Sequence, residues 1–198
     1  GQTQVHDIAR AMARRALMEA RGNSGVILSQ FFRGVSEGLD GLASFGPGHL
    51  ADALDAATER SYGGVGEPVE GTMLTVIAAA AEEARASASA DRSVSEALDA
   101  VCERVEETVA ATQTILPVLA EAGVVDAGGF GVQLILQGMA LQFSGRPIDG
   151  VQVPVPGGAE VGSAVSIHNV FLDQADHGGF GFCTQVLVDT TGQDGAEP

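Results

Sequence analysis

Apolar side chains recur along most of the chain at intervals of three and four, the spacing of one face of an α-helix. Residues 3–20 set Ile8, Met12, Ala16 and Ala20 along one side, with Arg10, Arg14 and Arg21 elsewhere. A second helix is predicted over 26–39, where Ile27, Phe31 and Val35 are spaced by four. Pro47 suits a first helical turn, so a third helix runs from there to about residue 61. The Ala-rich stretch 72–88 is a fourth, and Ser93-Val94-Ser95-Glu96 is a capping box that opens a fifth, ending near 112. Pro117 begins a short piece to Ala122, and 132–143 reads as the last helix.

The pattern breaks at three Gly-rich stretches, each directly before a predicted helix: residues 22–25, 70–72 and 126–129. A helix start carries unpaired N–H groups and the positive end of a dipole, which suits an anion. Small residues let a phosphate approach the backbone closely. Ser24 and Thr72 add hydroxyls and Asn23 an amide. The competing explanation is plain capping, for which Ser, Thr, Asn, Asp and Gly are the usual residues. Pattern alone leaves both open.

After Gly145 the texture changes. Residues 148–167 are rich in Gly and Pro and read as a linker, dividing a helical domain (1–147) from the start of a second one (168–198). In "FGFCTQVLVD" Phe180, Phe182, Thr184, Val186 and Val188 alternate with Gly181, Cys183, Gln185 and Leu187, which predicts a β-strand. The expected fold class is therefore all-α, an antiparallel helix bundle or barrel, followed by a linker and a short β segment.

Charge removes several functions. The net charge of −16 is the wrong sign for nucleic acid, and it disfavours anionic lipid surfaces. All ten basic residues are Arg, which excludes a phosphate-loop lysine, a protein-kinase strand lysine and Schiff-base chemistry. Phosphate chemistry would have to use backbone dipoles, metal and Arg. No stretch reaches the roughly 18 apolar residues of a membrane span, and the expectation is a cytoplasmic protein.

"ARGNSGVILSQFFRG", "EPVEGTMLTV" and "LPVLAEAGVVDAGGFG", in that order, resemble the three signature stretches of the DhaL-like (DAK2) family, as found in the ATP-binding subunit of bacterial fatty acid kinase. The likeness covers residues 1–145. "GFGFCTQVLV" is further similar to the Gly-Tyr-Cys-Thr motif of that subunit's middle domain, with Phe182 in place of Tyr. This second match separates it from the dihydroxyacetone kinase subunit, the alternative within the same class. The resemblance implies a barrel of amphipathic helices with ATP or ADP at one end. Asn23, Ser24 and Gly25 would hold the phosphates, Thr72 and Met73 would line the pocket, and Asp126, Gly128 and Gly129 would lie on the base and ribose side. It implies a DegV-like partner that presents a fatty acid for conversion to an acyl phosphate.

The family's Asp-Gly-Asp-Thr-Gly loop, whose carboxylates hold Mg²⁺, is not among these residues, so the resemblance places the metal ligands upstream and names no catalytic residue here. The chain as given is expected to be an N-terminally truncated piece that runs the reaction poorly, because charge on the transferred phosphoryl loses its main stabiliser. Apolar faces left uncovered would favour a homodimer. A reading from another class is a non-catalytic helical interaction module. Asp7 reads as a solvated helix residue, His6 and His49 as surface or capping residues, and Cys102 as a small core hydrophobe. His168, His177 and Cys183 lack a standard zinc spacing.

Overall fold

The computed structural model describes residues 4–147, all of whose regular structure is helical. The elements are α1 (Val5–Glu19), α2 (Gly22–Gly38), α3 (Pro47–Gly63), α4 (Met73–Ser89), α5 (Val94–Ile115), α6 (Pro117–Ala122) and α7 (Ala127–Phe143). This is the expected helical bundle. The linker, the Phe180–Val188 alternation, His168, His177 and Cys183 lie outside the described residues.

Contacts at the helix ends fix the direction of each rod. The amides of Val5 and His6 donate to the carbonyls of Ala43 and Leu42, so α1 starts where α2 ends. Arg10 pairs with Asp40 at the same place. A Cβ on Gly38 would meet Ala53 and one on Gly34 would meet Ala56 and Ala57, so α2 and α3 run antiparallel. Arg85, late in α4, grips Asp52 and Asp55, early in α3. Gly71, before α4, lies against Ile115 and Leu116 at the end of α5. The Asp126 amide, opening α7, donates to Thr112 near the end of α5, while Arg146 beyond α7 reaches Asp99 near its start. The starts of α2, α4 and α7 therefore share one end of the bundle with the finishes of α1, α3 and α5.

The core explains why α4 sits in the middle. It packs on α3, α5 and α7, and buries Met73, Leu74, Val76, Ile77, Ala79, Ala80, Ala81 and Ala84, which is apolar surface nearly all round. Alanine there favours helix and admits three neighbours at short range. Leu98, Val101, Val105 and Val109 form the α5 stripe, and Val132 and Leu136 that of α7. Cys102 packs at the edge of this core, where burial pushes its thiol up to about 11. By contrast α1 buries only Ala9 and leaves Leu17 and Met18 60% and 67% exposed, the surface on which the homodimer expectation rests.

The capping box at the start of α5 forms as its sequence implies. The Ser93 hydroxyl accepts from the Glu96 amide (3.3 Å), and the Ser93 amide donates back to the Glu96 carboxylate (2.8 Å). Hydrogen bonds from the Ser93 hydroxyl and amide hold the Glu96 carboxyl below its usual 4.5. A depressed carboxyl contributes stability above the unfolded value and loses it as pH falls through the folded one. Ser93→Ala is thus expected to lower the urea midpoint at neutral pH, and by less once Glu96 is protonated.

Candidate functional site

The residues singled out by sequence fall on the end of the bundle where α2, α4 and α7 begin. Their local form differs from the expectation at two of the three places. Residues 22–25 are not a turn ahead of the helix: α2 starts at Gly22, so Asn23, Ser24 and Gly25 are its first turn. Gly22, at φ +63, makes the corner out of α1, and a Cβ on Gly25 would lie 3.3 Å from the Ala20 carbonyl carbon. Likewise α7 starts at Ala127, placing Gly128 and Gly129 inside the helix. Thr72 is the N-cap of α4, as the pattern implied.

Two of these starts touch. A Cβ on Gly128 would meet the Met73 side chain at 3.1 Å, and one on Gly129 would meet Val76 Cγ2 at 2.7 Å. Glycine is required at 129, where the buried Val76 cannot give way, because α7 enters flush against α4. The finish of α3 lies beside the middle of α2, where a Cβ on Gly64 would come 2.9 Å from Gln30, and the α2 start extends about two turns further towards the same end.

The three starts differ in what already occupies their amides. At α4, the Thr72 hydroxyl accepts from Leu74 N–H (3.3 Å) and donates to the Val69 carbonyl (2.7 Å). At α7, Asp126 Oδ2 accepts from Gly129 N–H at 2.6 Å. At α2, the N-cap is Arg21, which supplies no side-chain cap, and no acid stands in the first turn. The Arg21 guanidinium donates to the Ala20 carbonyl (2.7 Å), so a positive charge stands next to that start. The N-cap residue caps its helix at Thr72 and Asp126, whereas Arg21 gives α2 no side-chain cap.

Sequence reasoning missed a cluster in the loop before α4. The Tyr62 hydroxyl, at the end of α3, donates to Glu70 Oε1 (3.0 Å). The Thr75 hydroxyl donates to Glu70 Oε2 (2.5 Å) and accepts from the Gly71 amide (2.8 Å). Burial first, then the hydrogen bond to and charge of Glu70, push the Tyr62 phenol up to about 12. The neutral phenol is the form the fold favours, so its contribution is complete below pH 10 and lost as pH climbs through 12. The signal available in sequence was only that Glu70 and the one tyrosine flank the same Gly-rich loop.

Elsewhere the chemistry is quiet. His49 Nδ1 accepts from the Gly46 amide (3.2 Å), the capping role expected of it. His6 Nδ1 lies 2.9 Å from the Leu42 carbonyl and Nε2 3.2 Å from Asp7, which ties Asp7 to its neighbour rather than to water alone. Among the described residues no group of three or more His, Cys, Asp and Glu could hold a metal ion. An apolar cavity of about 350 Å³ opens towards the other end of the bundle, lined by Ile8, Met12, Phe32, Met139 and Phe143, and includes none of the predicted residues. Among the described residues no helix is long and apolar enough to cross a membrane.

Comparison with known proteins identifies the family. Protein YloV of Bacillus subtilis is 36% identical over 185 residues, which are 93% of this chain and 33% of YloV. An uncharacterized protein of Staphylococcus saprophyticus is 32% identical over the same length, and one of Staphylococcus aureus 31% over 184 residues. The chain thus spans about a third of the length of the curated relatives it matches. The family model for the DAK2 domain matches residues 1–141, which takes in the starts of α1 to α7 and the residues from Asn23 to Gly129 at the candidate site, and the chain belongs to the DAK2 domain family.

Proposed function

We propose that this chain is the ATP-binding part of a kinase, with nucleotide seated across the end of the bundle where α2, α4 and α7 begin. DAK2 domains are components of kinase systems. The carrying observation is that the α4 and α7 starts meet through Met73 and Gly128, while the α2 start, which takes no side-chain cap from Arg21, lies at the same end. Electrostatics assigns the parts. Asp126 and Glu70 already place carboxylates at the α7 and α4 starts, which would repel a polyphosphate. The α2 start has no acid, has Arg21 beside it, and supplies the amides of Asn23, Ser24 and Gly25, so the phosphates belong there. Thr72 and Met73 line the middle of the pocket, and Asp126, Gly128 and Gly129 take the ribose and base.

Gly25, Gly128 and Gly129 are accounted for by close packing on Ala20, Met73 and Val76, so the support for nucleotide is the α2 start, with Arg21 beside it and no acid in its first turn. Mg²⁺ takes one or two carboxylates besides phosphate and water. Asp126 and Glu70, at this end, are engaged by Gly129, Tyr62 and Thr75 and belong to no group of three or more metal-ligating side chains among the described residues. No step is therefore routed through the metal. What these residues do is bind and orient, the larger part of what phosphoryl transfer asks of a protein. The substrate we assign is a fatty acid held by a DegV-like partner, giving an acyl phosphate. The support is the similarity of the Gly181–Thr184 stretch to the middle-domain motif of fatty acid kinase.

Thermal unfolding in the presence of ADP, with and without Mg²⁺, tests the nucleotide reading. A ligand at about 100 times its Kd stabilises the folded state by about 2.7 kcal/mol, so the midpoint should climb with nucleotide and level off in slope as RT ln(1 + [L]/Kd). A midpoint that ignores millimolar nucleotide, at about the upper end of cellular concentrations, would favour the non-catalytic helical module instead.

A further inference from the structure

We propose that Glu70 is a positioning residue for the nucleotide end of the bundle: it ties the end of α3 to the first turn of α4 and so holds the intervening loop in the shape that presents Thr72 and Met73. This rests on the nucleotide reading above, which assigns no role to Glu70, Tyr62 or Thr75.

Glu70 is exposed, and an exposed glutamate ordinarily samples many rotamers. Here both carboxylate oxygens accept hydrogen bonds, one from Tyr62 on α3 and one from Thr75 on α4. Thr75 in turn accepts from the Gly71 amide. Gly71 has φ +82 and is wedged against Ile115 and Leu116, so the loop is fixed from the α5 side as well. The stretch between, Gly63-Gly64-Val65-Gly66, is too glycine-rich to hold a path by itself. Plain capping does not explain the cluster, because Thr72 already caps α4 and Glu70 accepts from no amide of that helix. Contacts that join three elements at a loop, and do not serve the helix they precede, set where the loop stands.

Tyr62 makes this testable without a label, since the chain has one tyrosine and no tryptophan. Its fluorescence and its ionisation report this cluster alone. With Glu70→Ala, ionisation should move down from about 12 towards 10; burial and the charge of Glu82 keep it from arriving there. ADP binding to the full chain should weaken by about tenfold in Glu70→Ala, the scale of a lost hydrogen bond to a charged group. Tyr62→Phe should weaken it less, and the double variant no more than Glu70→Ala, because both act through one contact. Glu70→Gln, which keeps acceptor oxygen, should recover most of the affinity and serves if the alanine variant does not fold. Loss of the two hydrogen bonds that Glu70 accepts should lower the unfolding midpoint without ligand, so affinity is compared well below the midpoint of each variant. Glu70→Ala binding ADP within about twofold of the parent would overturn the proposal. If the parent itself ignores ADP, the nucleotide reading has failed, and amide exchange over residues 64–73 decides the loop-holding role. Faster exchange in Glu70→Ala supports it, and unchanged exchange sinks it.

Discussion

Gly34→Ala is expected to destabilise the bundle by about 3 kcal/mol, at the upper end for an overpacked site. Two effects oppose each other. Alanine is the better helix former, and at an exposed position the exchange would gain about 1 kcal/mol. Gly34, however, is buried where α2 crosses α3, and a Cβ there would lie 2.4 Å from Ala57 Cα and 2.4 Å from the Ala56 carbonyl oxygen. These are backbone atoms, so no rotamer change relieves them; the two helices must separate. Gly38, one turn on, would meet Ala53 Cα at 2.5 Å, so the seam continues for a full turn. Separation would also loosen Phe31, Leu50 and Leu54, which are packed in the same core. Overlap outweighs propensity. Urea denaturation of the variant against the parent checks it, with Gly48→Ala as control, since a Cβ at Gly48 meets nothing within 4 Å.

The same glycines show where the sequence was legible and where it was not. Helix number and order could be read because periodicity and caps are local: Pro47, Thr72, Ser93 and Pro117 each stand at or just before the first residue of their helix. The starts of α2 and α7 could not. Glycine costs about 1 kcal/mol in a helix relative to alanine, so residues 22–25 and 126–129 read as turns. Packing outweighs that cost, because Gly25 must clear Ala20, and Gly129 must clear Val76. The α2–α3 seam has a sequence trace, two glycines four apart, but whether such a pair faces a neighbour or water is decided by the partner helix. The Tyr62–Glu70 contact leaves only the trace that both residues flank one glycine-rich loop, and nothing in a spacing of eight residues across it says that two side chains will meet. Of the candidate site, what could be read is that Asn23 to Gly25, Thr72 and Asp126 to Gly129 stand at helix starts. What the sequence could not convey is that Thr72 and Asp126 spend their polar atoms on their own helices, leaving α2 as the start with no side-chain cap from its N-cap residue.

Gly129→Val should be far more damaging than Gly128→Ala, and the contrast separates the fold from the site. At Gly129 the added Cβ stands 2.7 Å from Val76 Cγ2, and Val76 is itself fully buried and β-branched, with one favoured rotamer in a helix. Valine adds further methyl groups into the same space, so α7 must lift off α4. We expect a loss of about 3 kcal/mol in urea denaturation together with loss of the ADP-dependent rise in unfolding midpoint, since the Asp126–Gly129 cap moves with the helix. At Gly128 the nearest atom is Met73 Sδ, 3.1 Å away, at the adjustable part of an unbranched side chain. Met73 can give way, so stability should change by less than about 1 kcal/mol, helped by the gain in helix propensity. Yet Met73 then shifts at the α4 start, in the middle of the proposed nucleotide seat. Gly128→Ala is therefore expected to keep the fold and weaken ADP, a split that a purely structural role for this glycine would not produce. Equal ADP affinity in Gly128→Ala and the parent would remove the α4–α7 junction from the nucleotide site and leave the α2 start as its sole support.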